Sequence, residues 1–276
     1  MSRPDPLRVL RRHNHAGREV TLAEGIAVAG GAVALLAVGR RRVDAVGVAG
    51  IGALGLADDV LEPFLRARGI APSKGLRGHL GALRRGTLTT GAAKALGIPL
   101  LCLGTAAAVP GRTAAGVVLD GAISAGAANL ANLLDLRPGR ALKVTTACAA
   151  LLALPSGGGA RDTGGRDLAV LAGALGVAAL PTDLTERGML GDTGANVLGA
   201  LVGSAAARRL GPAGRLGVLG VLGVLTLASE RVSFSAVIDS RPLLRRLDHL
   251  GRRVPDTSSA DVSSSAAGAA ATEEGA

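Results

Sequence analysis

Aromatic side chains are almost absent. The 276 residues hold no Trp and no Tyr, and the only two Phe are Phe64 and Phe234. A water-soluble core of this size normally uses aromatics to fill volume, so the composition argues against a soluble globular domain. The same absence removes the platforms on which single-stranded nucleic acids stack. The net charge of +10 is therefore not read as a nucleic-acid signal, and no nucleic-acid partner is expected. Cysteine is scarce as well. Cys102 and Cys148 both sit in apolar runs, which speaks against a disulfide framework and predicts two small buried hydrophobes. Hydrophobic residues, by contrast, make up 48% of the chain and Gly contributes 42 positions. Small residues suit a membrane interior, where they let helix backbones approach closely.

Eight apolar runs cover roughly residues 20–39, 43–57, 92–110, 113–131, 141–155, 167–181, 193–209 and 214–229. A membrane-crossing helix needs about 20 residues, within a range of about 17–25. The pattern predicts an all-α, polytopic membrane protein with about eight transmembrane helices, counted to within one. Placing the N-terminus on one side puts 22 Lys/Arg there and nine on the other, Arg40–Arg42 among the nine. The positive-inside rule makes the richer side cytoplasmic, with both termini inside. Arg40–Arg42 is a local violation of that rule. The expected organisation is a basic cytoplasmic arm (1–19), a transmembrane domain (20–229), a basic segment (230–253) and a disordered tail (254–276). Residues 231–253 alternate apolar and basic positions. They read equally as an amphipathic helix on the membrane surface or as a solvated basic flank.

Polar residues cluster on the cytoplasmic side. Asp58-Asp59 closes the second run, where the partial negative charge of a helix C-terminus disfavours two carboxylates unless a cation compensates. A divalent metal would do so, and an ordinary solvated helix end is the plainer alternative. Lys74-Gly75-Leu76 and the Gly- and hydroxyl-rich stretch ending in Lys94 suit either a phosphate cradle or attraction to anionic headgroups. Asn129, Asn132 and Asp135 fall on one broad helix face, fit for a nucleoside or equally for helix–helix hydrogen bonds. Asp192, flanked by Gly191 and Gly194, begins the seventh run as a ligand or a cap. Glu24 and Asp120 lie inside runs and are the sole support for a transporter. Together these residues suggest metal-assisted chemistry on a phosphate substrate at the lipid boundary.

In this order the motifs resemble the polyprenyl-phosphate N-acetylhexosamine-1-phosphate transferases, the superfamily of phospho-MurNAc-pentapeptide translocase, often filed as glycosyltransferase family 4. Gly55-Leu56-Ala57-Asp58-Asp59 resembles the family's Asp-Asp motif, and Lys74-Gly75-Leu76 its Lys-Gly-Leu. Asn129-x-x-Asn132-Leu133-x-Asp135 resembles its Asn-x-x-Asn-x-x-Asp, and Leu190-Gly191-Asp192-Thr193-Gly194 its Met-Gly-Asp-x-Gly. The likeness covers about residues 14–250.

The resemblance implies transfer of a sugar-1-phosphate from a UDP-N-acetylhexosamine to polyprenyl phosphate, releasing UMP, in cell-envelope synthesis at a bacterial plasma membrane. It implies catalytic Asp58, Asp59 and Asp192. Mg²⁺ (or Mn²⁺) would sit on Asp59 and Asp192, and substrate contacts would come from Lys74, Lys94, Asn129, Asn132 and Asp135. A homodimer is a permitted assembly. Two departures stand out. Pro138 occupies the place of the family's second Asp, and the histidine-rich last loop of the peptidoglycan translocase is missing. A catalytically degenerate member serving as a membrane scaffold is the alternative.

Overall fold

A computed structural model describes residues 9–67, 89–155 and 163–253. Among these residues are ten helices and one two-stranded sheet. Strands β1 (Arg11–His13) and β2 (Glu19–Thr21) come first, followed by α1 (Ala23–Val38) and α2 (Arg42–Ala67). Next are α3 (Thr90–Ala107), α4 (Ala114–Leu134), α5 (Arg140–Ala153), α6 (Thr163–Leu184), α7 (Gly191–Arg209) and α8 (Pro212–Ser229). Two short helices end the described chain, α9 (Phe234–Ser240) and α10 (Pro242–His249).

Each of the eight apolar runs lies on one of α1–α8. Local chemistry sets several of the starts. The Thr89 and Thr113 hydroxyls accept hydrogen bonds from Ala92 N–H and Gly116 N–H, both at 3.1 Å, and so cap α3 and α4. Pro212 occupies the first position of α8, where its missing N–H loses no bond. Among the described residues, four helices are long and apolar enough to cross a membrane: α3, α4, residues Gly164–Leu184 of α6, and α8. α1 is apolar but only 16 residues long, and α5 has 14. α2 and α7 carry charged residues at both ends. The outer surface bears exposed apolar side chains such as Leu100, Val118, Leu151, Val177 and Leu227, the reverse of a water-soluble surface.

α7 is the centre of the bundle and is buried along nearly its whole length. It packs most extensively on α4 and also against α1, α2, α5 and α6. Gly199 and Gly203 explain the α4 contact. A Cβ at Gly199 would lie 2.4 Å from the Ala127 carbonyl oxygen, and one at Gly203 would lie 2.6 Å from the Ser124 Cα. Two glycines four residues apart thus bring two backbones together, the usual small-residue packing of membrane helices. α8 is peripheral, and only Leu222 of it is buried.

One expectation is corrected, and one small sheet is added to the helical layout. Helices dominate as expected, and β1 and β2 add a short antiparallel hairpin pairing Arg12 with Val20. Asn14 organises its turn, with its side-chain oxygen accepting from Ala16 N–H at 2.9 Å and Arg18 N–H at 3.0 Å. The hairpin spans residues 11–21. Cys102 is buried as expected, but Cys148 is exposed on the outer side of α5. The tail 254–276 and most of the Lys74–Lys94 stretch, Lys74 included, lie outside the described residues.

Candidate functional site

Three helices bring the acidic motifs together at one end of the bundle. α2 ends beyond Asp58 and Asp59, α3 starts just before Lys94, and α7 starts at Gly191. Lys94 Nζ lies 2.7 Å from Asp58 Oδ2 and also pairs with Asp192 Oδ2. One ammonium thus joins two carboxylates that are 134 positions apart in sequence.

Asp59 has a different task. Leu190 precedes α7 and provides no side-chain cap, so the first amides of α7 need acceptors from elsewhere. Asp59 provides them from α2. Its Oδ1 accepts from Asp192 N–H at 3.0 Å, and its Oδ2 from Thr193 N–H at 3.0 Å and the Thr193 hydroxyl at 2.8 Å. A carboxylate at a helix N-terminus is also favoured by the helix dipole. Gly55, one turn earlier, makes the approach possible: a Cβ there would lie 2.6 Å from the Asp192 carbonyl oxygen. The hairpin closes over this junction, with Arg12 donating to the Asp59 carbonyl oxygen.

No protein-family model, curated protein or solved structure matches this chain.

Asp135 follows the last turn of α4. Its Oδ2 is buried without a hydrogen-bond partner. Burial holds its carboxyl well above the usual carboxylate range, and the negative charges of Asp183, Asp192, Glu24 and Asp59 push it further up. Asn132 is half-buried in the final turn of α4, whereas Asn129 is exposed and reaches Thr226 of α8 at 3.4 Å. Six helical steps of about 100° leave Asn129 and Asp135 roughly 120° apart. The single face expected for Asn129, Asn132 and Asp135 is therefore split, with Asn129 turned toward α8.

Two carboxylates that motif reasoning undervalued also belong here. Glu24 does not face water. It is 8% exposed, and both of its carboxylate oxygens are buried and unpartnered. It sits beneath Gly188, where a Cβ would come within 2.6 Å of Glu24 Oε2. Asp183 was not singled out, yet it is buried and accepts the Gly139 amide at 2.8 Å. It thereby holds the turn containing Pro138, which is buried and whose carbonyl oxygen accepts from Arg252 Nε at 2.9 Å. Nothing in the local sequence marks Asp183, because its partner lies 44 residues away. Asp120 is neutralised by Arg112 at 2.7 Å and Arg215 at 2.8 Å, which leaves the transporter reading without its second carboxylate.

The residues fit a divalent cation. Asp135 and Glu24 present orphaned carboxylate oxygens, and the negative charges of Asp192 and Glu24 act on Asp135. Uncompensated carboxylates of this kind call for protons or a cation. Asp59 is already fully engaged by α7 donors, so it acts on any bound ion by fixing the Asp192 backbone. Among the described residues, one group of three, Asp239, Asp248 and His249, has ligand atoms within 4.8 Å of one another. Asp248 is committed there to Arg140 and Arg252, so that group does not resemble an ion site.

Proposed function

We propose that the chain is a membrane phosphoglycosyl transferase. It would move a sugar-1-phosphate, such as N-acetylhexosamine-1-phosphate, from a UDP-sugar to polyprenyl phosphate and release UMP. The reading places eight helices across a bacterial plasma membrane, with both termini and the site at its cytoplasmic face. The observation that carries it is the convergence of Asp58, Asp192 and Lys94 from three helices beside orphaned Asp135 and Glu24 oxygens. The motif resemblance supports the same reading independently.

In this scheme Asp192 and Asp135 would hold Mg²⁺ (or Mn²⁺), and Glu24 would add a further carboxylate to their surroundings. Bound there, the ion would neutralise negative charge on the pyrophosphate and the leaving UMP. Lys94 binds a phosphate oxygen, because its ammonium can exchange a carboxylate partner for a phosphate. Asp58, released from Lys94 in that exchange, accepts the proton of the attacking lipid phosphate. Asp59 keeps the α7 amides in place, and Arg12 of the hairpin braces Asp59 from the other side. Asn132 would orient a nucleotide, and Lys74 would add a second phosphate contact.

The test uses membranes containing the full chain, labelled UDP-N-acetylglucosamine and undecaprenyl phosphate. Expected are a Mg²⁺-dependent lipid-linked product and UMP, both lost in Asp192→Asn. If no UDP-N-acetylhexosamine gives Mg²⁺-dependent UMP, the enzyme reading is wrong. A second reading has one specific observation in its favour: Asp59 serves as a helix cap. A site whose carboxylates are structural suits a membrane scaffold in envelope assembly. A scaffold would keep its function in the cell with Asp58→Asn and Asp192→Asn.

A further inference from the structure

At the end of the bundle away from Asp192 lies a cavity of about 790 Å³. Its walls come from the starts of α2, α6 and α8, the end of α3, the turn before α4 and the end of α7. Sixteen residues separate Asp58 from Arg42 in α2 and Asp192 from Arg208 in α7, so the two sites are about 24 Å apart along the bundle.

Six arginines line this cavity: Arg40, Arg41, Arg42, Arg112, Arg208 and Arg215. Asp44 is the one carboxylate among the lining residues, and it pairs with Arg41 at 2.9 Å and with Arg208. Asp120, behind the wall, takes Arg112 and Arg215. Exposed Asp167 reaches Arg41 at 3.6 Å. Even with all three carboxylates counted, three positive charges remain. Arg40 and Arg42 are both exposed, and neither has a carboxylate partner among the described residues.

Helix geometry adds to the positive potential. α2, α6 and α8 each present their first turn to the cavity, and α4 begins two residues after Arg112. Helix N-termini carry partial positive charge and unpaired amides. Like charges gathered in this way repel, and burial of their neighbours worsens the repulsion. An anion removes the cost. Guanidinium groups match a phosphate through paired, charge-assisted hydrogen bonds. Val43, Val109, Pro110 and Leu210 also line the cavity, and its volume is in the range of sites for ligands much larger than a bare ion.

We propose that this arginine cavity is a second binding site, for the phosphate group of a phosphoester, at the opposite end of the bundle from the Asp192 site. The phosphate can belong to a lipid headgroup or to a soluble phosphoester. The proposal does not depend on transferase activity. It also gives the Arg40–Arg42 cluster, which runs against the positive-inside pattern, a reason to be where it is.

The test uses the full chain in maltoside micelles at constant ionic strength, with binding read from the shift in thermal unfolding temperature. The probes are pyrophosphate, dioctanoyl phosphatidic acid and, as control, dioctanoyl phosphatidylcholine. Expected is saturable binding of at least one of the first two and none of the third. The double variant Arg40→Gln/Arg42→Gln should weaken binding at least tenfold. Its unliganded melting temperature should not fall, since neither guanidinium holds a carboxylate and removing two like charges relieves repulsion. Arg245→Gln/Arg246→Gln removes the same charge from α10 and should leave binding intact. Phosphatidic acid alone identifies a lipid source, whereas saturation by pyrophosphate identifies a soluble one. The proposal is overturned if neither phosphate probe saturates, if phosphatidylcholine binds equally, or if both double variants respond alike.

Discussion

Gly55→Ala should destabilise the protein although it replaces glycine inside a helix. The new Cβ would lie 2.6 Å from the Asp192 carbonyl oxygen, 2.7 Å from its carbon and 2.7 Å from Thr193 Cα. All three are backbone atoms, so no side chain can swing aside. Ordinary carbon–oxygen contact begins near 3.3 Å, so α2 and α7 must separate by about 0.7 Å. The three bonds from α7 to Asp59, now 2.8–3.0 Å, would stretch toward the limit of hydrogen bonding. Overpacking costs about 1–3 kcal/mol, and weakening bonds to a charged acceptor adds about 1.5–3 kcal/mol. The gain in helix propensity returns only about 1 kcal/mol. The net loss is about 1.5–5 kcal/mol. Gly220→Ala in α8 is the matched control, because no atom lies within 4 Å of its Cβ position. It should leave stability unchanged or raise it by up to about 1 kcal/mol. Denaturant unfolding in mixed micelles, followed by far-ultraviolet circular dichroism, measures both. If Gly55→Ala is as stable as the wild type, the close approach of α2 to α7 is refuted, and with it the capping role of Asp59.

Asp59→Asn would turn an amide NH₂ toward α7 donors and should cost about 1–3 kcal/mol in the same unfolding experiment; an unchanged midpoint would count against the cap. Arg140 is bidentate to Asp248 at 2.8 and 2.9 Å, with both side chains buried. Arg140→Met should cost about 3 kcal/mol, and Arg140→Met/Asp248→Leu should recover much of it. Burial raises the Asp248 carboxyl, but the Arg140 hydrogen bond and the charges of Arg252, Arg140 and Lys143 outweigh it and hold the carboxyl below the usual range. Its contribution is therefore complete above the unfolded carboxylate value near 3.9 and fades as pH falls through the lower folded value. An acid titration should show a smaller loss of stability in Asp248→Asn than in the wild type. Cys148 should label with maleimide in the folded protein while buried Cys102 stays protected until unfolding, which mass spectrometry of the labelled chain resolves.

Much of the helical layout was legible in the chain, because apolar runs and cap residues act locally. The run at 113–131 became α4 with Thr113 as its cap, and the run at 193–209 became α7. The Asp58-Asp59, Lys94 and Asp192 grouping was legible as an expectation of shared location, since charge asymmetry put those segments on one side. The hairpin escaped notice because its strands are three residues long, charged and without alternation. Its anchors, such as Arg12 on the Asp59 carbonyl oxygen and Met189 N–H on Thr21 at 3.0 Å, come from distant segments.

By itself the sequence determined that the chain is helical, apolar and close-packed by small residues, and roughly where the eight longer helices lie. Those properties follow from periodicity, composition and caps within a few residues of each other. Only the tertiary structure decided which member of the Asp58-Asp59 pair meets Lys94 and which caps α7. It also buried Glu24 and Asp183 beside Asp135, turned Asn129 toward α8 and gathered six arginines around one cavity. These outcomes depend on which helix faces meet and how closely glycines let them approach. Contacts between residues a hundred positions apart leave no periodic trace in the chain.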